Sequence, residues 1–152
     1  MVFIPFDAAA WPRALDASVP AFSATPALCE SFDVTDPEES EFAAMTLASV
    51  AGLAQHGTRF VLGAEVADDQ VDASADTGNG EVQVSGLRRA QIVSWFTDEF
   101  PDDPQVRAAA HEAQGLPLDD AWHLDEVQTL IGHHALLWHA AEELPTNSAR
   151  ED

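Results

Sequence analysis

The sequence predicts an α+β fold: a single domain in which a small, mostly antiparallel sheet packs with helices and the chain closes on a long C-terminal helix. Apolar residues make up 46% of the 152 positions against 22% charged, a balance that supports a buried core rather than a disordered chain. Apolar spacing switches between helical period and period two along the chain, giving the order β-α-β-α-α-β-β-β-α-α. Helices and strands in that order are segregated, which argues against a doubly wound parallel sheet. At this length one domain is expected. It is placed at residues 1–145, with 146–152 as a frayed tail.

Residues 2–6 form a short apolar run that reads as an opening strand. A helix from Trp11 to Ala17 would carry Pro12 in its first turn, where the missing N–H is tolerated. Ala21 to Thr25 is a candidate short strand, and Thr25-Pro26 starts a short helix ending at Phe32. Asp36-Pro37-Glu38-Glu39 is the clearest helix start, with an N-cap acid, proline at the first helical position and glutamate at the third. Ala43, Leu47, Val50 and Ala54 continue that helix at helical spacing until Gly57, a left-handed stop. Arg59 to Val66 reads as a strand, and residues 67–80 as a long acidic loop. Glu81 to Ser85 alternates with period two, and Gln91 to Phe96 is its return strand. An acidic turn, Asp98 to Pro104, leads into a helix over 104–114, and Leu116-Pro117-Leu118 is a linker. Residues 119–143 read as the longest helix, with Leu124, Val127, Ile131, Trp138 and Ala141 on one stripe and Pro145 as its end.

Twenty-seven acidic residues against six arginines, with no lysine, give a formal charge of -21. Such a surface repels nucleic-acid phosphates and anionic lipid and attracts basic proteins and cations. Absence of lysine removes Schiff-base chemistry and the usual phosphate-loop cation. The acids are dispersed, which describes a solvated acidic shell better than an acidic tail. The alternative use of that charge is nucleic-acid mimicry, occupying a basic protein's binding face. No signal peptide and no apolar run of membrane-spanning length occurs, and Cys29 stands alone, so a cytoplasmic location is expected.

No catalytic motif supports an enzyme. His123, His133, His134 and His139 cluster near the C-terminus, but none of these pairs has the four-residue spacing that puts two histidines on one helix face. No metal and no cofactor is therefore expected. His134 is placed in the apolar stripe between Ile131 and Trp138; His139 falls on the polar side, near Glu142 and Glu143. Asp72, Ser74, Asp76, Gly78 and Gly80 depart from a calcium loop at its sixth and twelfth positions, Thr77 and Gln83, so a hairpin loop is expected. Asp98-Glu99 and Asp102-Asp103 read as solvated turn acids. Cys29 reads as a small buried hydrophobe. Trp11, Trp95, Trp122 and Trp138 read as core, although one exposed tryptophan would mark a partner hot spot. Arg88-Arg89, the only basic doublet, can grip a carboxylate or phosphate; with His134 it makes up the candidate binding residues.

Phe22-Ser23-Ala24-Thr25-Pro26-Ala27-Leu28, Glu38 to Thr46, Phe60-Val61-Leu62-Gly63-Ala64-Glu65-Val66 and Leu136 to Pro145 together resemble a family of short acidic actinobacterial proteins of unknown function. That resemblance implies a bacterial cytosolic protein and brings no activity with it. The element order, with Thr25-Pro26 and the return from Gly86-Leu87 to Ile92-Val93, is similar to small ADP-ribosyltransferase-like domains. This second likeness implies a nucleotide-binding or catalytically degenerate domain using Arg88 or Arg89 with a histidine and a glutamate. Charge and the missing catalytic signature favour a non-enzymatic interaction module whose protein partner presents a basic or apolar surface, with no role for nucleic acid or membrane.

Overall fold

Seven strands form one antiparallel sheet in the computed structural model of the protein, which describes residues 1–7, 18–76 and 78–144. They are β1 (Val2–Pro5), β2 (Val19–Ser23), β3 (Val61–Ala64), β4 (Val71–Asp72), β5 (Glu81–Val84), β6 (Ile92–Thr97) and β7 (Leu137–Ala140). Their order across the sheet is β4-β5-β2-β1-β3-β6-β7, so among the described residues β4 and β7 are the two edges. The helices are α1 (Pro26–Phe32), α2 (Pro37–His56), α3 (Pro104–Ala113), α4 (Leu118–Trp122) and α5 (Asp125–His133). The predicted helix between Trp11 and Ala17 lies outside the described residues.

Local chemistry explains the helix starts. Thr25, Asp36 and Asp103 each cap a helix with a side-chain oxygen, and each is followed by a proline at the first helical position. That pairing satisfies an orphan N–H and presets the helical φ. Gly57 ends α2 at φ 77°, with its N–H donating to the Leu53 carbonyl at 3.0 Å.

Alternation along the strands sorts the core into two sheet faces. Val2, Ile4, Leu62, Ala64, Val82 and Val84 point to one, where Phe6, Phe60, Leu87 and Leu144 join them. Phe3, Phe22 and Val61 point to the other, against Leu28 of α1 and Ala44, Leu47, Ala48 and Ala51 of α2. The far side of α2 (Val50, Leu53, Ala54) packs on α3, α4 and α5 through Val106, Ala109, Ala121, Val127 and Leu130. α2 is thus buried along opposite sides, which is why small residues crowd its second half.

The α+β architecture matches the expectation, but three of its details change. Residues 119–143, read as one long helix, are split into the end of α4, α5, β7 and a 3-10 turn at Ala141–Glu143. Leu137 to Ala140 pairs residue for residue with Ser94 to Thr97; tertiary pairing overrides a stripe that periodicity cannot distinguish from a strand over so short a run. The sheet is larger than expected, because the 67–80 loop contributes β4, which pairs with β5. The strand read at Arg59 to Val66 is trimmed to Val61–Ala64, leaving Arg59 outside it.

The residues compared with a calcium loop instead clasp α1. The Asp76 carboxylate accepts from the Gly78 N–H at 2.9 Å, the Gly80 N–H at 3.1 Å and, more closely, the Thr25 hydroxyl. Gly80 sits at φ 80°, and a Cβ there would lie 2.5 Å from the Ser23 carbonyl oxygen. Burial alone would raise the Asp76 carboxyl, but these hydrogen bonds outweigh it and hold the carboxyl below the ordinary carboxylate value.

Two measurements check this account. Leu62→Ala, at a fully buried position of β3, is expected to lose about 2–5 kcal/mol in urea unfolding. Asp76 has a folded value below its unfolded one, so its stabilisation is complete above the ordinary Asp range and is lost as pH falls through the lowered folded value. Asp76→Asn is therefore expected to lower stability at neutral pH and to flatten the acid limb of the stability–pH curve.

Candidate functional site

Arg59, just before β3, is buried, whereas almost all other charged side chains among the described residues are at the surface. Its Nε donates to both carboxylate oxygens of Asp98 at 3.1 Å, its Nη2 also reaches Asp98, and Nη2 donates to the His134 carbonyl at 2.8 Å. The Arg59 and Asp98 side chains are only 3% and 4% exposed. Asp98 follows β6 directly, and His134 is the C-cap of α5. One guanidinium therefore ties together the start of β3, the end of β6 and an orphan carbonyl at the end of α5. The expectation that Asp98 belongs to a solvated turn is corrected: its carboxylate is turned inward by Arg59, while Glu99 beside it stays exposed.

A pocket of about 300 Å³ opens above this pair. It is lined by Phe42, Met45, Thr46 and Ser49 of α2, by Phe96 of β6, by Ile131, His134, Ala135 and Leu136 from the end of α5 and the connection to β7, and by Arg59. The Thr46 hydroxyl donates to the Phe42 carbonyl at 2.8 Å and the Ser49 hydroxyl to the Thr46 carbonyl at 2.6 Å. Their protons are committed to the helix, so they face a ligand as acceptors.

Beside the pocket the apolar surface continues outward. Trp138 of β7 lies directly opposite Phe96 in the ladder, hence on the same sheet face. It is 63% exposed, and Phe42 at the pocket rim is 64% exposed. The expectation that Trp138 is core is therefore corrected: its place in a helix stripe disappears with the helix. Trp95 and Trp122 are partly buried against the core, while Trp11 lies outside the described residues. β7 is held to β6 through side chains as well as backbone. Trp95 donates its indole N–H to the Ala140 carbonyl at 2.9 Å, and the His139 ring stacks on Trp95 at 4.1 Å. His139 Nε2 lies 2.9 Å from the Thr97 hydroxyl, and Nδ1 lies 3.5 Å from Glu143. The expected nearness of His139 to Glu143 holds, through a strand and a turn rather than a helix.

The candidate residues named from sequence are separated. Arg88 and Arg89 precede β6, where Arg89 Nη2 donates to the Ala141 carbonyl at 3.1 Å. His134 sits at the other end of β6, with Nε2 3.9 Å from Asp103. The six residues of β6 span roughly 17 Å at about 3.3 Å each. His134 lines the pocket; the arginine doublet does not. Among the described residues no three of His, Cys, Asp and Glu converge as a metal site would require. Cys29 is half-buried, packed against the core between the sheet and α2. Sequence reading missed Arg59 and Asp98. Their signal was present but weak: an arginine entering one apolar strand and an aspartate leaving another, in a chain with few cations.

A family model described as a family of unknown function, DUF6912, matches residues 1–146, and the chain belongs to that family. No curated protein and no solved structure matches it.

The buried pair is open to a direct test by equilibrium unfolding. Asp98→Ala leaves the Arg59 charge buried and unpaired and is expected to cost about 3–5 kcal/mol. The double change Arg59→Met with Asp98→Leu removes both charges and is expected to cost much less than the single one.

Proposed function

We propose that this member of the family is a protein-interaction module that takes an extended, apolar and basic segment of a partner along the open edge of β7. The observation that carries the reading is Trp138, a large aromatic side chain left 63% exposed on an edge strand. Tryptophan is the residue type most enriched at binding hot spots. The two edges of the sheet differ in kind. β4 is two residues long and stands among Asp68, Asp69 and Asp72, which is how proteins discourage edge pairing. β7 is four residues long, carries no Asp or Glu and presents Leu137 and Trp138. An added strand there gains main-chain hydrogen bonds, and its alternate side chains meet Trp138.

Charge selects the partner's chemistry. Glu38, Glu39 and Glu41 precede Phe42, Glu99, Asp102 and Asp103 follow β6, and Glu142 and Glu143 follow β7. Lysine or arginine in the partner complements this rim. A second copy of the chain would bring another charge of -21 to the same edge, which disfavours self-pairing. The nucleotide-binding alternative uses Arg88 or Arg89 with a histidine and a glutamate, and of the candidate residues His134 stands at the opposite end of β6 from the arginines. Nucleic-acid mimicry needs acids arrayed on one face, whereas exposed acids occur on α2, α4, α5 and the turns between strands.

Selection of a random peptide library on the protein tests the proposal. Recovered peptides are expected to alternate apolar with Lys or Arg residues, to weaken as salt rises, and to lose about 2 kcal/mol or more of binding on Trp138→Ser. Peptides that bind Trp138→Ser as well as the parent protein would overturn it. So would a dimer in sedimentation that Trp138→Ser dissociates, since the edge would then serve a second copy.

A further inference from the structure

The pocket under Phe42 has a chemistry separate from the β7 edge, and it resides in Arg59. Three hydrogen bonds to Asp98 and one to the His134 carbonyl hold the guanidinium. They leave one nitrogen, Nη1, that donates to no described residue. Arg59 is among the residues lining the pocket, so the Nη1 N–H groups are what its guanidinium has left to offer an acceptor there, while the other nitrogens are held in place by Asp98 and His134. The remaining polar lining is complementary in sense. Thr46 and Ser49 have given their protons to helix carbonyls and offer lone pairs. Phe42, Met45, Phe96, Ile131 and Leu136 make the rest of the wall apolar.

Electrostatics narrows the ligand further. Asp98 neutralises Arg59 at bonding distance, and the chain as a whole carries -21. An anion entering the pocket would meet a paired cation and a repulsive surround, whereas a neutral acceptor incurs no such repulsion. Size sets the last limit. A dry cavity of about 150 Å³ accommodates benzene; the space here is about 300 Å³, at the lower end for ligand pockets.

We propose that this pocket binds a small uncharged molecule consisting of one aromatic ring or branched aliphatic group that bears a carbonyl. The carbonyl accepts from Arg59 Nη1, and an amide N–H, where present, donates to Thr46 or Ser49. The hydrocarbon part lies against Phe96, Met45 and Ile131. The site does not depend on strand addition at β7, so each reading can fail alone.

Benzamide and benzoate, the same ring with and without charge, are the probes. Their binding is followed by NMR shifts of the Ile131 and Met45 methyl groups. Benzamide is expected to bind and benzoate to bind at least about tenfold more weakly. Ala135→Trp, at an exposed position on the pocket wall, is expected to block benzamide while leaving the folded spectrum intact. Trp138→Ser is expected to leave benzamide affinity unchanged. Absence of methyl shifts at the solubility limit of benzamide would overturn the proposal. It would also fall if benzoate bound as tightly, or if the shifts persisted in Ala135→Trp.

Discussion

A single buried guanidinium ties together the end of the sheet at which the pocket and β7 lie. Arg59 joins Asp98 and the His134 carbonyl, and those three groups come from the start of β3, the end of β6 and the end of α5. Arginine suits the role because its planar fork bonds two carboxylate oxygens and a carbonyl at once. The pair brings no large net stability, since two charges must be withdrawn from water to form it. It brings placement instead. With α5 stopped at His134, the chain turns back beside β6 and lays down β7. Phe96, Trp138 and the pocket then come to share one face.

The remaining acidity has a different physical standing. Nearly all other carboxylates among the described residues are at the surface, where self-repulsion is screened by salt and each contributes little alone. Asp76 is an intermediate case, drawn into a clasp of backbone N–H groups and a threonine hydroxyl between the β4–β5 connection and α1. Exposed apolar side chains stand within this acidic shell at Phe42, Phe100, Leu137 and Trp138. An acid-rimmed apolar surface at a sheet edge is the observation on which the proposal of a basic, extended partner rests.

How far the fold was legible follows from which signals are local. Thr25-Pro26, Asp36-Pro37 and Asp103-Pro104 announce helices because caps and prolines act within a few residues of their own backbone. β5 and β6 announce themselves by alternation and flanking turns. The C-terminal third misleads because Leu137-Trp138-His139-Ala140 becomes a strand only through its pairing with Ser94 to Thr97, forty residues earlier. Helical spacing of Leu124, Val127 and Ile131 is real, but nothing local says that it stops at His133. β4 escaped notice for the same reason: two residues carry no periodicity, and β5 makes them a strand.

The chain's own order of residues determined the α+β class, the capped helix starts, the anionic character and the lack of a local catalytic motif, because each depends on neighbours in sequence or on composition. Tertiary structure decided which charged residue was buried, which tryptophan was exposed and where the pocket lay. Arg59, Asp98 and His134 are far apart along the chain, and their hydrogen bonds exist only once β3, β6 and α5 have been brought to one place. Burial of a charge is a property of that assembly, so no periodicity or spacing in the sequence could have singled out Arg59 over the exposed Arg88.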